Sequence, residues 1–402
     1  MQSNNRVFRW TNWIAKTLCV IFIFVQISAD REFIANATAL KDTQMYRRST
    51  NFVPADTGRL ERVLINAACG KDTTIAFIGG SITEGYNATN RSNQYVQNVY
   101  KWWCESFPFT DINMINAGVG GTSSYLGVHR VKSEVLDYMP DLVFIEFSVN
   151  DAFSYEQMQT YENLIRRILI APNEPAVVLV FMTDKDGSSQ QDLDCALGTY
   201  YRLPMISYGN AVMPEIEAGS FLWSDISSDS IHPNDRGHII IAELINQYLE
   251  DIFQKACNSF IKTEYIIPPA ITPLSYMNAM VVDSSSIMPT ASRDFETASV
   301  NYHFTNDWDA TGKNAVITFT IPAANIGLIY QRCIEGYRGQ YDVYIDDKYV
   351  TTLDGNFDRG KGTETDTIEL YRSDRVETHN ITIIKSADSE NYMFTILGLL
   401  IS

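Results

Sequence analysis

The chain has 402 residues, 45% of them hydrophobic and 12% aromatic, and its 31 Lys and Arg against 48 Asp and Glu leave a formal charge of −17. That length is enough for two cores, and the apolar share is that of a globular protein. The charge excludes nucleic acid and anionic membrane surfaces as electrostatically held partners, whereas a neutral or cationic substrate is easily accommodated.

The amino terminus reads as an export signal. Arg6, Arg9 and Lys16 precede the apolar run from Leu18 to Ile27, and Ser28-Ala29 offers a small-residue cleavage site. Residues 1–29 are therefore expected to send the protein out of the cell or to its surface, and only this segment, if uncleaved, is expected to meet a membrane. Residues 30–57 read as a polar, irregular linker. Gly58 to Ala68 follows as a helix with Leu60, Val63, Leu64 and Ala67 on one face. Ile75 to Ile78 is then a charge-free apolar run, the pattern of a buried parallel strand. It stops at Gly79-Gly80, which places Ser81 at the carboxyl end of a central strand with its hydroxyl presented outward.

Ser92 to Phe107 has helical spacing, with Trp102 and Trp103 in a stripe expected to face the core. Ile112 to Ile115 is a second strand, ending in a glycine-rich loop that contains Gly120 and Gly121 and offers backbone N–H groups at a strand terminus. A helix from Tyr125 to Met139, a strand from Asp141 to Phe147 running into Asn150-Asp151, and a helix from Glu156 to Ile170 come next. Strands at Ala176 to Met182 and Met205 to Ser207, and a helix near Ala211 to Glu217, lead to a polar loop with Asp229 and His232. The helix Ile239 to Phe253 closes the set. This alternation predicts an α/β fold over residues 58–257, a doubly wound parallel sheet with every polar motif on one rim.

Residues 258–299, punctuated by Pro268, Pro269 and Pro273, read as a second linker. From 300 to 402 the pattern changes to seven short alternating segments, which predict an all-β sandwich, with a hairpin turn at Asp346-Asp347. Of the six cysteines, Cys19 lies in the signal. Cys69, Cys104, Cys195, Cys257 and Cys333 are scattered, lack metal-ligand spacing, and are expected to serve mostly as buried small hydrophobes, with one disulfide bridge among them left open.

Ester hydrolysis needs a nucleophile, a base, a group that orients the base, and donors aimed at the oxygen that becomes negative. Ser81, His232 and Asp229 supply the first three. The backbone N–H groups of Ser81 and Gly121 and the Asn150 amide would form the oxyanion hole. No cofactor and no metal is called for: a site built from Asp229, His232 and His238 lacks a suitably spaced further ligand.

The four blocks GGSIT at 79–83, NAGVGG at 116–121, SVND at 148–151 and DSIHPN at 229–234 resemble, in order and spacing, those of the SGNH hydrolases, also called GDSL esterases. The resemblance implies a flavodoxin-like sheet and an esterase in which Ser81, Gly121, Asn150 and His232 take the family's four roles and Asp229 completes the triad. Gly80 and Ser148 depart from the commonest pattern, where many members carry Asp and Gly. The wording GGSIT and EFSVND, with a β-rich tail ending FTILGLLIS, is similar to that of exported bacterial members that deacetylate polysaccharides. The expected activity is therefore removal of small acyl groups, foremost acetyl, from a carbohydrate or small ester. An acyltransferase on a glycan, a lipid or thioester acylhydrolase, and a carbohydrate-binding protein with a vestigial site are the alternatives.

Overall fold

Thr73–Gly79 forms strand β1, and its Ile75, Ala76, Phe77 and Ile78 are wholly buried. The computed structural model describes residues 43–258, 264–358 and 362–402, so the expected signal at 1–29 lies outside the described residues. Around β1 stand β2 (Ile112–Gly118), β3 (Leu142–Glu146), β4 (Ala176–Phe181) and β5 (Met205–Ser207), all parallel, in the order β2-β1-β3-β4-β5. This is the predicted doubly wound sheet. Its residues are apolar on both faces because helices cover both. Phe77 and Phe144 stack across β1 and β3 at 4.6 Å between ring centroids, each ring worth about 2 to 3 kcal/mol relative to exposure. The strand order reverses at β1, and open α/β sheets form a crevice at the carboxyl ends of the strands beside such a point.

The helices follow the predicted periodicity with shifted ends. In chain order they are α1 (Gln44–Ser49), α2 (Gly58–Ala68), α3 (Ser81–Glu84), α4 (Tyr95–Ser106), α5 (Ser124–Glu134), α6 (Tyr155–Leu169), α7 (Gln191–Tyr200), α8 (Tyr208–Glu217), α9 (Trp223–Ile226) and α10 (Asp235–Asn258). α1 lies in the stretch expected to be irregular, where Thr43 caps it by accepting from the Tyr46 N–H. The expected Trp stripe is core: Trp103 is wholly buried and Trp102 packs on the same cluster.

The chain divides into two compact units. The first runs to Gly118 and takes in Val135–Asp151 and Ile168–Pro269; the second comprises Val119–Glu134, Ala152–Arg167 and Ala270–Ser402. All five parallel strands belong to the first. The second unit is a nine-stranded antiparallel sheet, with α5 and most of α6 grouped with it. Its strands are β6 (Met280–Val282), β7 (Ala291–Arg293), β8 (Phe295–Ala298), β9 (Asp307–Ala310), β10 (Val316–Cys333), β11 (Gln340–Ile345), β12 (Lys348–Asp354), β13 (Thr363–Lys385) and β14 (Thr395–Ile401). Two long strands replace four short ones. β10 and β13 each continue through register shifts, on β10 between Ala323 and Asn325 and between Ile326 and Gly327, where the apolar alternation breaks. The sheet folds over one core: Phe295 of β8 packs its ring 5.9 Å from that of Tyr341 of β11, although five strand spacings of about 4.8 Å would separate them on a flat sheet. Asp346 and Asp347 have φ of 51° and 64° and make the predicted hairpin between β11 and β12.

Within this unit the segment Ile271 to Pro273 is stitched to α6. Gln159 and Asn163 donate to the Pro273 carbonyl, and Glu162 accepts from the Ile271 and Thr272 N–H groups. Strand structure begins at Met280, ahead of Val300. Among the described residues no disulfide joins the five cysteines, and only Cys333 of them is buried, against the expectation for most of them.

Candidate active site

Ser81 begins α3 directly at the end of β1, and only 7% of it is exposed. Its Oγ lies 2.8 Å from His232 Nε2, and His232 Nδ1 lies 2.9 Å from Asp229 Oδ2. Asp229 Oδ1 accepts from the backbone N–H groups of Ile231 and His232, and Oδ2 also accepts from Asn87 Nδ2. Burial pushes the Asp229 carboxyl up, but those N–H groups and the His232 ring outweigh it and hold it below the usual carboxylate value. An ionised Asp229 only accepts, so Nδ1 carries the ring proton and Nε2 is left to accept the Ser81 hydroxyl. Such a series can draw a proton from the hydroxyl as it attacks a carbonyl, and return it to the departing oxygen.

The nucleophile turn is built by close approach. A Cβ on Gly80 would stand 2.3 Å from Asn150 Oδ1, so the missing Cβ is what lets the Asn150 amide lie against the turn in this arrangement. A Cβ on Gly118, at the end of β2, would stand 2.1 Å from the Glu84 backbone nitrogen, so α3 sits directly on the β2 terminus. Asn116 braces it further: Nδ2 donates to the Thr83 carbonyl while Oδ1 accepts from the Gly118 N–H. Below the helix, Thr83 Oγ1 donates to Glu146 Oε2 at 2.8 Å. With its one proton given there, Thr83 accepts from the Tyr95 hydroxyl, also at 2.8 Å. Burial pushes the Glu146 carboxyl up to about 7.

The second departure from the family pattern also has a partner. Ser148 Oγ accepts from the Met182 N–H at 2.7 Å, tying the segment after β3 to the end of β4. His238 is buried on α10. Both its nitrogens are in use: Nδ1 accepts from the Tyr95 N–H, and Nε2 therefore donates to the Tyr86 carbonyl. Burial lowers its pKa, which keeps this neutral tautomer, and neither nitrogen is left for a metal.

The structure thus brings Ser81, Asn150, Asp229 and His232 together in the first unit. Gly121 lies in the second, on a loop where its φ of 71° suits a residue without Cβ. Sequence reasoning missed Thr83, Glu146, Asn116 and Tyr86. A charge closing an apolar strand was the available signal for Glu146, and membership of a motif block for Thr83 and Asn116.

Residues 77–240 match the GDSL-like Lipase/Acylhydrolase family. Among solved structures, a two-domain esterase active on acetylated mannans superposes with a TM-score of 0.83 at 28% identity, covering 88% of this chain and 97% of that one. Its crystal structure with mannopentaose gives a TM-score of 0.82 at the same identity and coverage. No curated protein sequence matches significantly. Family blocks, parallel sheet and trailing antiparallel β region agree: the chain carries a GDSL-like hydrolase region over residues 77–240, followed by a β-rich carboxyl-terminal part, and is a carboxylic ester hydrolase.

Proposed function

We propose that the protein is an exported serine esterase that removes acetyl groups from a carbohydrate, a mannan-type glycan foremost. In this reading Ser81 Oγ attacks the acetyl carbonyl carbon while His232 Nε2 takes its proton. The Ser81 and Gly121 N–H groups and the Asn150 amide receive the negative oxygen. Collapse of the tetrahedral species breaks the ester C–O bond, and His232 returns the proton to the sugar oxygen. Water, deprotonated by His232, then attacks the acetyl-Ser81 carbonyl, and acetate leaves as Ser81 regains its proton.

The observation that carries the reading is the pair of contacts at 2.8 and 2.9 Å joining Ser81, His232 and Asp229. The glycan assignment is supported by 28% identity across nearly the whole of an esterase active on acetylated mannans, and by a charge of −17 that favours a neutral substrate. The test follows acetate release by the parent and by Ser81→Ala on a small acetyl ester and on acetylated mannan. The parent is expected to release acetate from both, and Ser81→Ala from neither. Equal rates from the two proteins would overturn the assignment.

A further inference from the structure

Tyr86 is a large ring left 47% exposed directly beside the relay, its centroid 4.5 Å from that of His232 and tilted 55° to it. Its backbone is clamped at both ends. The Tyr86 N–H donates to the Ser81 carbonyl at 2.9 Å, and its own carbonyl accepts from His238 Nε2 at 3.1 Å. The next residue, Asn87, holds Asp229 Oδ2 at 3.0 Å. The ring is thus set on the same rigid framework as the nucleophile and base, yet it does not belong to the cluster of apolar side chains packed around the core. Trp223 differs in this respect: it packs on that core, and its indole N–H is given to the Asp229 carbonyl at 2.7 Å.

We propose that Tyr86 is the stacking platform for the sugar that carries the scissile ester, and thereby favours acetylated pyranoses over simple acetyl esters. This deepens, and rests on, the esterase reading above. The argument is one of position and chemistry. His232 Nε2 is 2.8 Å from the Ser81 hydroxyl, so a ring in contact with the imidazole lies within one sugar of the reacting carbonyl. A pyranose presents a face of C–H groups, which an aromatic face covers, while its hydroxyls stay in water. A small ester has no such face to offer. Fixing the backbone that carries the ring, with the ring set against His232, lowers the ordering cost that a mobile loop would bring to binding.

The test compares kcat/KM on an acetylated mannooligosaccharide and on a small acetyl ester for the parent, Tyr86→Ala and Tyr86→Phe. Tyr86→Ala is expected to lower the oligosaccharide to small-ester ratio about tenfold, mainly through KM, and Tyr86→Phe to restore it. A ratio unchanged in Tyr86→Ala, whether both activities fall together or neither does, would overturn the proposal, because the ring would then serve only to pack His232. Binding of the oligosaccharide to the Ser81→Ala protein and to its Tyr86→Ala derivative, measured by calorimetry, gives the same answer without turnover. A parent protein that releases no acetate from either substrate would instead fail the esterase reading.

Discussion

The proposed nucleophile and its proposed base are held in opposite ways. Ser81 sits on a buried turn braced from far along the chain, by Asn116, Glu146, Asn150 and the terminus of β2. Asp229 and His232 sit on an exposed loop that ties itself: the Ser227 hydroxyl reaches the carbonyls of Asp229 and His232, Asn234 N–H donates to the Ile226 carbonyl, and Ser227 bridges to Pro233. The comparison teaches where damage travels. A change in the loop costs chemistry and leaves the fold, whereas a change under the turn costs both.

Asp229→Asn breaks the local side most sharply. It keeps an acceptor for the Ile231 and His232 N–H groups but removes the charge that selects the ring tautomer, so kcat should fall by about ten-thousand-fold. The thermal midpoint should stay within a degree or two of the parent, checked by calorimetry alongside acetate release. A large drop in melting temperature would mean that the loop is not self-supporting.

Gly118→Ala strikes the other side. Its Cβ would fall 2.1 Å from a backbone nitrogen, which a flexible side chain could escape but a helix cannot. Overpacking of this kind costs about 1 to 3 kcal/mol, and displacing the nucleophile by about an ångström costs about a hundredfold in rate. Denaturant titration and kcat should therefore move together. Activity lost with stability intact would show that the turn is held by something other than the β2 terminus.

The effect at Glu146 is one on stability alone and shows only as a dependence on pH. Free glutamate titrates near 4.5, and burial pushes this one up to about 7. Between those values the folded chain holds the proton more tightly than the unfolded one. Stability from the neutral acid is therefore complete below about pH 4.5, lost as pH rises, and absent above about 7, a fall of about 3 kcal/mol at 1.4 kcal/mol per pH unit. Glu146→Gln keeps an acceptor for Thr83 and has no charge to bury, so its stability should fall about 3 kcal/mol less than the parent's between pH 5 and 8. Parallel curves for the two proteins would contradict this.

The parallel strands and the four motif blocks were legible because each depends on a local pattern: the strands are apolar runs, and β1 and β2 end in glycine where the next helix or loop must approach closely. What was not legible depends on partners distant in sequence. α7 escaped notice because its inward face carries Asp194 and Gly198 beside Leu197, which leaves no apolar stripe. β10 reads as two strands because its bulges shift the alternation at Ala323 to Gly327. Thr83 and His238 gain their roles from Glu146 and Tyr95, residues that no periodicity connects to them.

The central claim is that Ser81 is the group acylated in turnover. An organophosphonate ester incubated with the protein, followed by intact-mass measurement and peptide mapping, tests it most directly. One adduct on Ser81, formed as activity is lost and absent from Ser81→Ala, is the expected result. Inactivation with the adduct on any other residue, or an active Ser81→Ala protein, would contradict it.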